Sequence, residues 1–238
     1  MNLRVDKILP ETHDTRTLYL VDAEDGGCVF DYQPGQYLTF RFDDLADKPL
    51  VRSYTMSSSP CQKDHIEVTV KTVSHGIVSH YLCEKVMEGD ILRARGPIGR
   101  FGYEPTKDLP RLVMIGAGSG VTPFLSMLRE YTQPGSALLP DMVLLVSYRS
   151  EEDLIGWDLL QEVQQHPNVR VVVSLSRQHH PDFRFGRIDE ALLTETLEGD
   201  FLHRTFFICG PEGLLTSIPA FLSTKRVEMA HIKTESFF

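Results

Sequence analysis

The chain has 238 residues, 42% of them hydrophobic, with 24 Lys and Arg against 33 Asp and Glu and a formal charge of -9. That length allows one large or two medium domains, and the acidic balance argues against general affinity for nucleic acid or anionic lipid, which both need Lys and Arg to neutralise phosphate. Cys28, Cys61, Cys83 and Cys209 are scattered, with no pair spaced to chelate zinc or an iron-sulfur cluster, so no metal centre is expected.

From residue 3 to about residue 94 the apolar pattern is strand-like. Segments 17–21, 36–40, 65–70 and 90–94 are short, β-branched or aromatic, and separated by turn residues such as Gly26, Gly27, Pro34 and Gly35. They predict a small antiparallel β-barrel of the Greek-key type. A helix over 77–86, following Gly76, interrupts them. Gly102, Pro105 and Pro110 then punctuate a polar joint, beyond which the period changes. Segments 112–115, 142–147, 169–174 and 205–209 read as continuous apolar strands buried on both faces. They alternate with helices over 121–131, 157–165, 189–196 and 212–222, an order that predicts an α/β doubly wound parallel sheet. The expected domains are residues 1–108 and 109–238. Lacking a charged-then-apolar leader over 1–10 and an apolar run near ~20 residues, the chain is expected to be cytoplasmic and to stay out of the membrane.

Three stretches carry chemistry. Arg52, Ser53, Tyr54, Thr55 and the serines up to Pro60 place a cation, an aromatic ring and hydroxyls on one extended segment, as holding a flavin requires. Strand residues alternate faces, so Arg52 and Tyr54 are expected to point one way, and Ser53 and Thr55 to the other side or the edge. Taken alone, the segment reads equally as a half-buried strand ending in a Ser-rich turn. Gly116, Gly118 and Gly120 follow the first α/β strand and open a helix, so backbone amides and the helix dipole can face a diphosphate. Their Gly-x-Gly-x-Gly spacing departs from the Gly-x-Gly-x-x-Gly of a standard dinucleotide turn, and tight packing alone is the competing explanation. Ligands of open parallel sheets bind at the carboxyl ends of strands, and Cys209, Gly210 and Pro211 lie at another such end. Gly76, Ile77, Val78 and Ser79 form a second candidate phosphate site, where glycine permits close approach and Ser79 offers a hydroxyl; an ordinary capped helix start explains them as well.

Taken in order, and with Val70, Lys71, residues 96–101, Glu235 and Phe237 added, these stretches resemble the ferredoxin-NADP reductase superfamily over almost the whole chain. The resemblance implies a flavin β-barrel followed by a nicotinamide domain. It implies that Arg52 neutralises the pyrophosphate, that Tyr54 stacks on the isoalloxazine, that Thr55 bonds near flavin N5, and that Thr69, Val70 and Lys71 line the flavin through their backbones. Gly76 to Ser79 beside Arg52 favours bound FAD over FMN. Ser119 and Thr122 would lie where the nicotinamide approaches, with Cys209 near its hydride-donating carbon and Glu235 at the flavin edge. Cys209 reads equally as an inert buried thiol. Phe237 would cover the flavin face opposite Tyr54, a role Phe238 shares or takes over; an apolar docked tail is the plainer reading.

The implied activity is that of an FAD-dependent reductase taking hydride from NADH or NADPH and passing electrons to a protein acceptor: a ferredoxin, a flavodoxin or an oxygenase or iron-sulfur partner. Ser176 and Arg177, with Arg184 or Arg187 beyond, resemble the place where some relatives hold a 2'-phosphate, for which arginine is suited. The chain resembles NADH-using bacterial relatives slightly more, so NADH is the expected donor. Arg93, Arg95 and Arg100 are candidate docking residues for an acidic partner, or a solvated barrel rim. A monomer is expected. Many bacterial relatives continue into a ferredoxin domain with four cysteines, so either electrons leave to a separate protein or the sequence is a piece of a longer polypeptide. The competing expectation is a flavin-binding electron-transfer subunit that uses no nicotinamide; the glycine turn, Cys209 and Glu235 count against it.

Overall fold

A computed structural model describes residues 1–27 and 30–237. The first half forms strands β1 (Asn2–Thr12), β2 (Thr15–Asp22), β3 (Tyr37–Phe42), β4 (Leu50–Thr55), β5 (Ile66–Lys71) and β6 (Ile91–Ile98), with helix α1 (Ile77–Glu84) between the last two. The antiparallel order is β4-β3-β6-β1-β2-β5, and a bridge from Met56 to Val68 joins the end of β4 to β5, closing the barrel. Alternate residues Leu3, Val5, Leu18, Leu20, Leu38, Phe40, Ile66 and Val68 fill its interior, as the two-residue period of a strand dictates.

The second half comprises β7 (Arg111–Ala117), α2 (Thr122–Thr132), β8 (Asp141–Tyr148), α3 (Trp157–Val163), β9 (Val169–Leu175), β10 (Arg184–Phe185), α4 (Glu190–Thr196), β11 (Thr205–Cys209), α5 (Glu212–Thr224) and β12 (Ile232–Glu235). All strand pairs are parallel, in the order β10-β9-β8-β7-β11-β12. Met114, Leu144, Val146 and Phe207 pack on one face, and Val113, Ile115, Leu145 and Ile208 on the other. Burial on both faces explains the unbroken apolar runs. Chain order reverses direction between β7 and β11, which makes their carboxyl ends the topological switch point.

The strands and helices expected from sequence are present, with differences at their ends. The helix expected over 77–86 stops at Glu84, capped by Lys85. β1, β10 and β12 add strands that the periodicity did not single out.

Polar contacts weld the halves. On α2, Ser126 Oγ donates to the Ser58 carbonyl at 2.6 Å, and Arg129 donates to the Ser57 carbonyl at 2.8 Å and pairs with Glu67. Glu130 accepts from Ser59 Oγ at 2.5 Å. The serines that follow β4 therefore serve the domain joint.

Candidate flavin and nicotinamide site

Beside this joint lies a cavity of about 640 Å³, bordered by β4, β5, the start of α1, the β7–α2 turn and the segment after β12. Arg52, Ser53, Tyr54 and Thr55 all border it. β4 lies at the end of the strand order. Arg52 is exposed and spends one donor on the Val51 carbonyl at 2.7 Å, leaving most of its donor fork to a ligand. Tyr54 packs on Phe40, ring centroids 6.1 Å apart, and burial raises its phenol well above the ordinary value, so it stays protonated. Ser53 and Thr39 share a hydroxyl hydrogen bond of 3.0 Å, while Thr55 is buried.

On β5, Thr69 and Lys71 border the cavity, whereas the Val70 side chain lies in the barrel core. The Lys71 ammonium is held by both Asp14 oxygens at 2.5 and 2.6 Å and approaches Asp153 at 3.5 Å. His13, Asp14 and Asp153 bring ligand atoms within 4.8 Å of one another; Lys71 already supplies the compensating cation there. Burial raises the Asp14 carboxyl, but hydrogen bonds from Lys71, Thr12 and Thr15 outweigh it and hold the group below its usual value.

At the start of α1, Ser79 Oγ donates to the Gly76 carbonyl at 3.0 Å and accepts from the Val73 amide at 3.2 Å. Its hydroxyl thus builds the turn. A Cβ on Gly76 would stand 2.4 Å from Val73 Cγ2 and 2.5 Å from Ser79 Oγ, so only glycine fits. No side chain caps this end, and the first amides of a helix have no intrahelical partner; those of Ile77 and Val78 are donors for an anion. The Ile77 side chain is exposed and Val78 is buried.

At the switch point the glycines divide their work. A Cβ on Gly120 would lie 2.2 Å from the Cys209 carbonyl oxygen, and one on Gly116 would lie 3.2 Å from the Gly120 carbonyl, so both serve close packing. Gly118 adopts φ +54 with open space at its Cβ position, a left-handed conformation suited to glycine. Ser119 and Thr122 border the cavity, although the Thr122 hydroxyl already donates to the Ser119 carbonyl at 2.9 Å. Cys209 is fully buried, register partner to Gly116 on one side and Glu235 on the other. Burial, then the nearby Glu235 carboxyl, pushes its thiol far above the usual range. Burial also lifts Glu235 above the ordinary carboxylate range. Glu235 and Phe237 border the cavity, and Phe237 packs on the α/β core; Phe238 lies outside the described residues.

The three glycines of the turn, Val70, Ile77, Cys209, Gly210, Pro211 and Arg177 do not border the cavity. Gly210 closely approaches Ala117 at the end of β7, and Arg177 is exposed beyond β9, its amide bonded to the Arg149 carbonyl at 2.9 Å. Arg184 pairs with Glu195. Arg93 lies 3.7 Å from Asp43, and Arg95 and Arg100 are exposed. Tyr37, Val51, Val73 and Ser236 border the cavity without having been singled out. Tyr37 is the cross-strand partner of Thr55, a register that the two segments could have suggested.

A concave site of this volume is within the range of cofactor pockets. Guanidinium donors and free helix amides fit a diphosphate, an aromatic wall fits a flat ring, and the Gly76 cradle admits close approach. The residues present therefore fit a flavin dinucleotide.

Comparison with known proteins agrees. Residues 2–103 match the oxidoreductase FAD-binding domain and residues 114–219 the oxidoreductase NAD-binding domain. The chain is 31% identical to the glycine betaine monooxygenase reductase subunit of Chromohalobacter salexigens, with 99% of this chain and 64% of that one covered. It is 30% identical to the ferredoxin reductase component of 3-ketosteroid-9-alpha-monooxygenase from Mycolicibacterium smegmatis, covering 100% and 65%. Among solved structures, the FAD/NAD binding domain of a Vibrio cholerae nitric oxide dioxygenase superposes with a TM-score of 0.86 at 25% identity, over 99% of this chain and 98% of that one. The matched halves define a flavoprotein oxidoreductase that pairs FAD with a nicotinamide nucleotide. The chain belongs to the ferredoxin-NADP reductase superfamily. It spans somewhat under two thirds of the length of the two curated relatives.

Proposed function

We propose that the protein takes hydride from NADH onto FAD and hands the electrons to a protein acceptor. One observation carries this reading: the β4 segment, the Gly76 turn and the switch-point residues Ser119, Thr122 and Glu235 open into a single cavity, so donor and acceptor rings can meet there. Such positioning supplies up to about 7 to 11 kcal/mol in favourable systems. Bound FAD supplies a two-electron acceptor able to release electrons singly. In this proposal residues 1–108 hold FAD and residues 109–238 the nicotinamide.

Arg52 and the amides at the start of α1 neutralise the diphosphate, and the backbone of Thr69, Val70 and Lys71 supports the ring edge. Tyr54 forms one wall, Thr55 hydrogen-bonds the ring edge, and Phe237 shields the opposite face and moves aside for the nicotinamide, acting as a gate. Gly116 and Gly120 let the β7–α2 turn and the Cys209, Gly210, Pro211 turn pack together beneath the nicotinamide, and Gly118 supplies the left-handed bend of the β7–α2 turn. The Cys209 thiol stays protonated and packs near the reacting carbon, and Glu235 can hold a proton at its carboxyl. Arg177 lies toward the adenosine end; NADH is inferred from the chain's slightly greater resemblance to NADH-using bacterial relatives.

The acceptor we infer is an iron-sulfur protein such as a ferredoxin, or a flavodoxin, serving an oxygenase. This is supported by the monooxygenase systems named for the relatives and by exposed Arg93, Arg95 and Arg100. No helix of the described residues is long and apolar enough to cross a membrane; a cytoplasmic monomer is proposed. Anaerobic mixing with NADH and NADPH in separate experiments, followed by candidate ferredoxins, tests the reading. Bleaching of the bound flavin and its reoxidation by a ferredoxin are expected; failure of both nucleotides to bleach it would refute the reading.

A further inference from the structure

A line of hydroxyls runs from the cavity wall to the other domain. Ser57 Oγ and Thr69 Oγ1 are 2.9 Å apart, Thr69 Oγ1 and Thr17 Oγ1 are 2.8 Å apart, and Thr17 Oγ1 donates to Glu11 Oε1 at 2.7 Å. The second Glu11 oxygen, Oε2, accepts from the Gly156 amide at 3.1 Å, across the domain joint. Ser57, Thr69 and Thr17 are all buried, and Thr69 borders the cavity.

The direction of this chain is fixed by counting protons. A hydroxyl has one. Thr17 gives its proton to Glu11, so it must accept from Thr69, which in turn must accept from Ser57. The Thr69 and Thr17 hydroxyls therefore turn their protons toward Glu11, and Thr69, which borders the cavity, keeps its oxygen on the cavity side.

We propose that Glu11 is a positioning residue of the flavin site: one carboxylate oxygen ties the α/β domain at Gly156, and the other sets the direction of a hydroxyl chain that meets the cavity wall at Thr69. The inference rests on the reading that FAD occupies the cavity. Glu11 touches neither cofactor; it acts through Thr17 and Thr69. A carboxylate two hydrogen bonds from the wall, with dipoles aligned toward it, opposes the negative charge added on reduction. It therefore holds the flavin's potential down.

Glu11→Gln separates the two duties. The amide oxygen can still accept from Gly156, but the amide nitrogen must donate to Thr17, which reverses every hydroxyl and removes the charge. Thr17→Val cuts the chain and leaves Gly156 tied, while Thr17→Ser keeps the hydroxyl.

The test measures the midpoint potential of bound FAD by photochemical reduction against indicator dyes, with no nicotinamide present, and amide exchange at Gly156. Glu11→Gln should favour reduction at least tenfold, about 30 mV for a two-electron couple, with Gly156 still protected. Thr17→Val should shift the same way by less, and Thr17→Ser should match the native protein. Glu11→Ala should speed exchange at Gly156 at least tenfold. Native potentials in both Glu11→Gln and Thr17→Val, or a shift in the first without the second, would overturn the chain; unchanged exchange in Glu11→Ala would overturn the tie. A native chain that binds no FAD would end both this inference and the functional reading. NADH and NADPH failing to reduce a bound flavin would end the functional reading alone.

Discussion

Cys209 and Glu235 are register partners on adjacent parallel strands, the thiol fully buried and the carboxyl at the edge of the cavity. Because burial keeps the thiol protonated, Cys209 is suited to packing against a reacting ring and unsuited to nucleophilic attack. Cys209→Ala should leave FAD content intact and slow flavin reduction by NADH about ten- to hundred-fold, the scale of a small misplacement of reacting groups. Stopped-flow absorbance checks this; a native rate would make Cys209 an ordinary core thiol.

Glu235 gives a pH signature. Its carboxyl is raised by burial, so the folded state holds the proton more tightly than the unfolded one. The stability it contributes is fully present below the ordinary glutamate value near ~4.3 and is lost as pH rises through the raised folded value. Urea unfolding across that window should show a decline in the native protein that Glu235→Gln lacks. Parallel pH curves for the two proteins would contradict the shift.

Gly120→Ala drives a Cβ to 2.2 Å from the backbone oxygen of Cys209, where no flexible side chain can yield. Overpacking of this kind costs about 1–3 kcal/mol, and the strain falls between the β7–α2 turn and the end of β11. FAD should still bind, since Arg52 and the α1 amides are distant in the chain and belong to the barrel. Nicotinamide binding should weaken at least tenfold in a difference-absorbance titration; native affinity would place the nucleotide elsewhere.

Phe237 stands between the cavity and the α/β core. Removing it in Phe237→Ala together with Phe238→Ala should strengthen binding of oxidised nucleotide, because the ring no longer competes for the flavin face. Calorimetric titration with NAD measures this directly. Unchanged affinity would reduce the tail to a structural role.

Much of the architecture was legible in the chain because buried parallel strands produce unbroken apolar runs and glycines mark the turns that must pack closely. β1 was hidden by register shifts between Val5 and Lys7 and between Pro10 and Thr12, which change the face each side chain meets and erase the two-residue period. β10 is only two residues long, and β12 carries Lys233, Thr234 and Glu235 in a four-residue edge strand, so neither leaves an apolar signal. At the site, Arg52 and Tyr54 were singled out from residue type and place in the chain, and Ser119 and Thr122 from the family resemblance; all four border the cavity. The engagement of Lys71 by Asp14 and Asp153, and of Ser79 by its own turn, was not, because each depends on which distant or local partner claims the group first. Ser57 to Ser59 read as part of a ligand segment, yet Ser57 and Ser58 carbonyls and the Ser59 hydroxyl bind α2.

The central claim, that one cavity brings a nicotinamide to a bound FAD, is tested most directly by anaerobic titration of the FAD-loaded protein with NADH while following visible flavin absorbance. Complete bleaching at one equivalent of nucleotide per flavin, within a single turnover, is expected. A flavin that stays oxidised with excess NADH and with excess NADPH, yet is bleached by photochemical reduction, would contradict it.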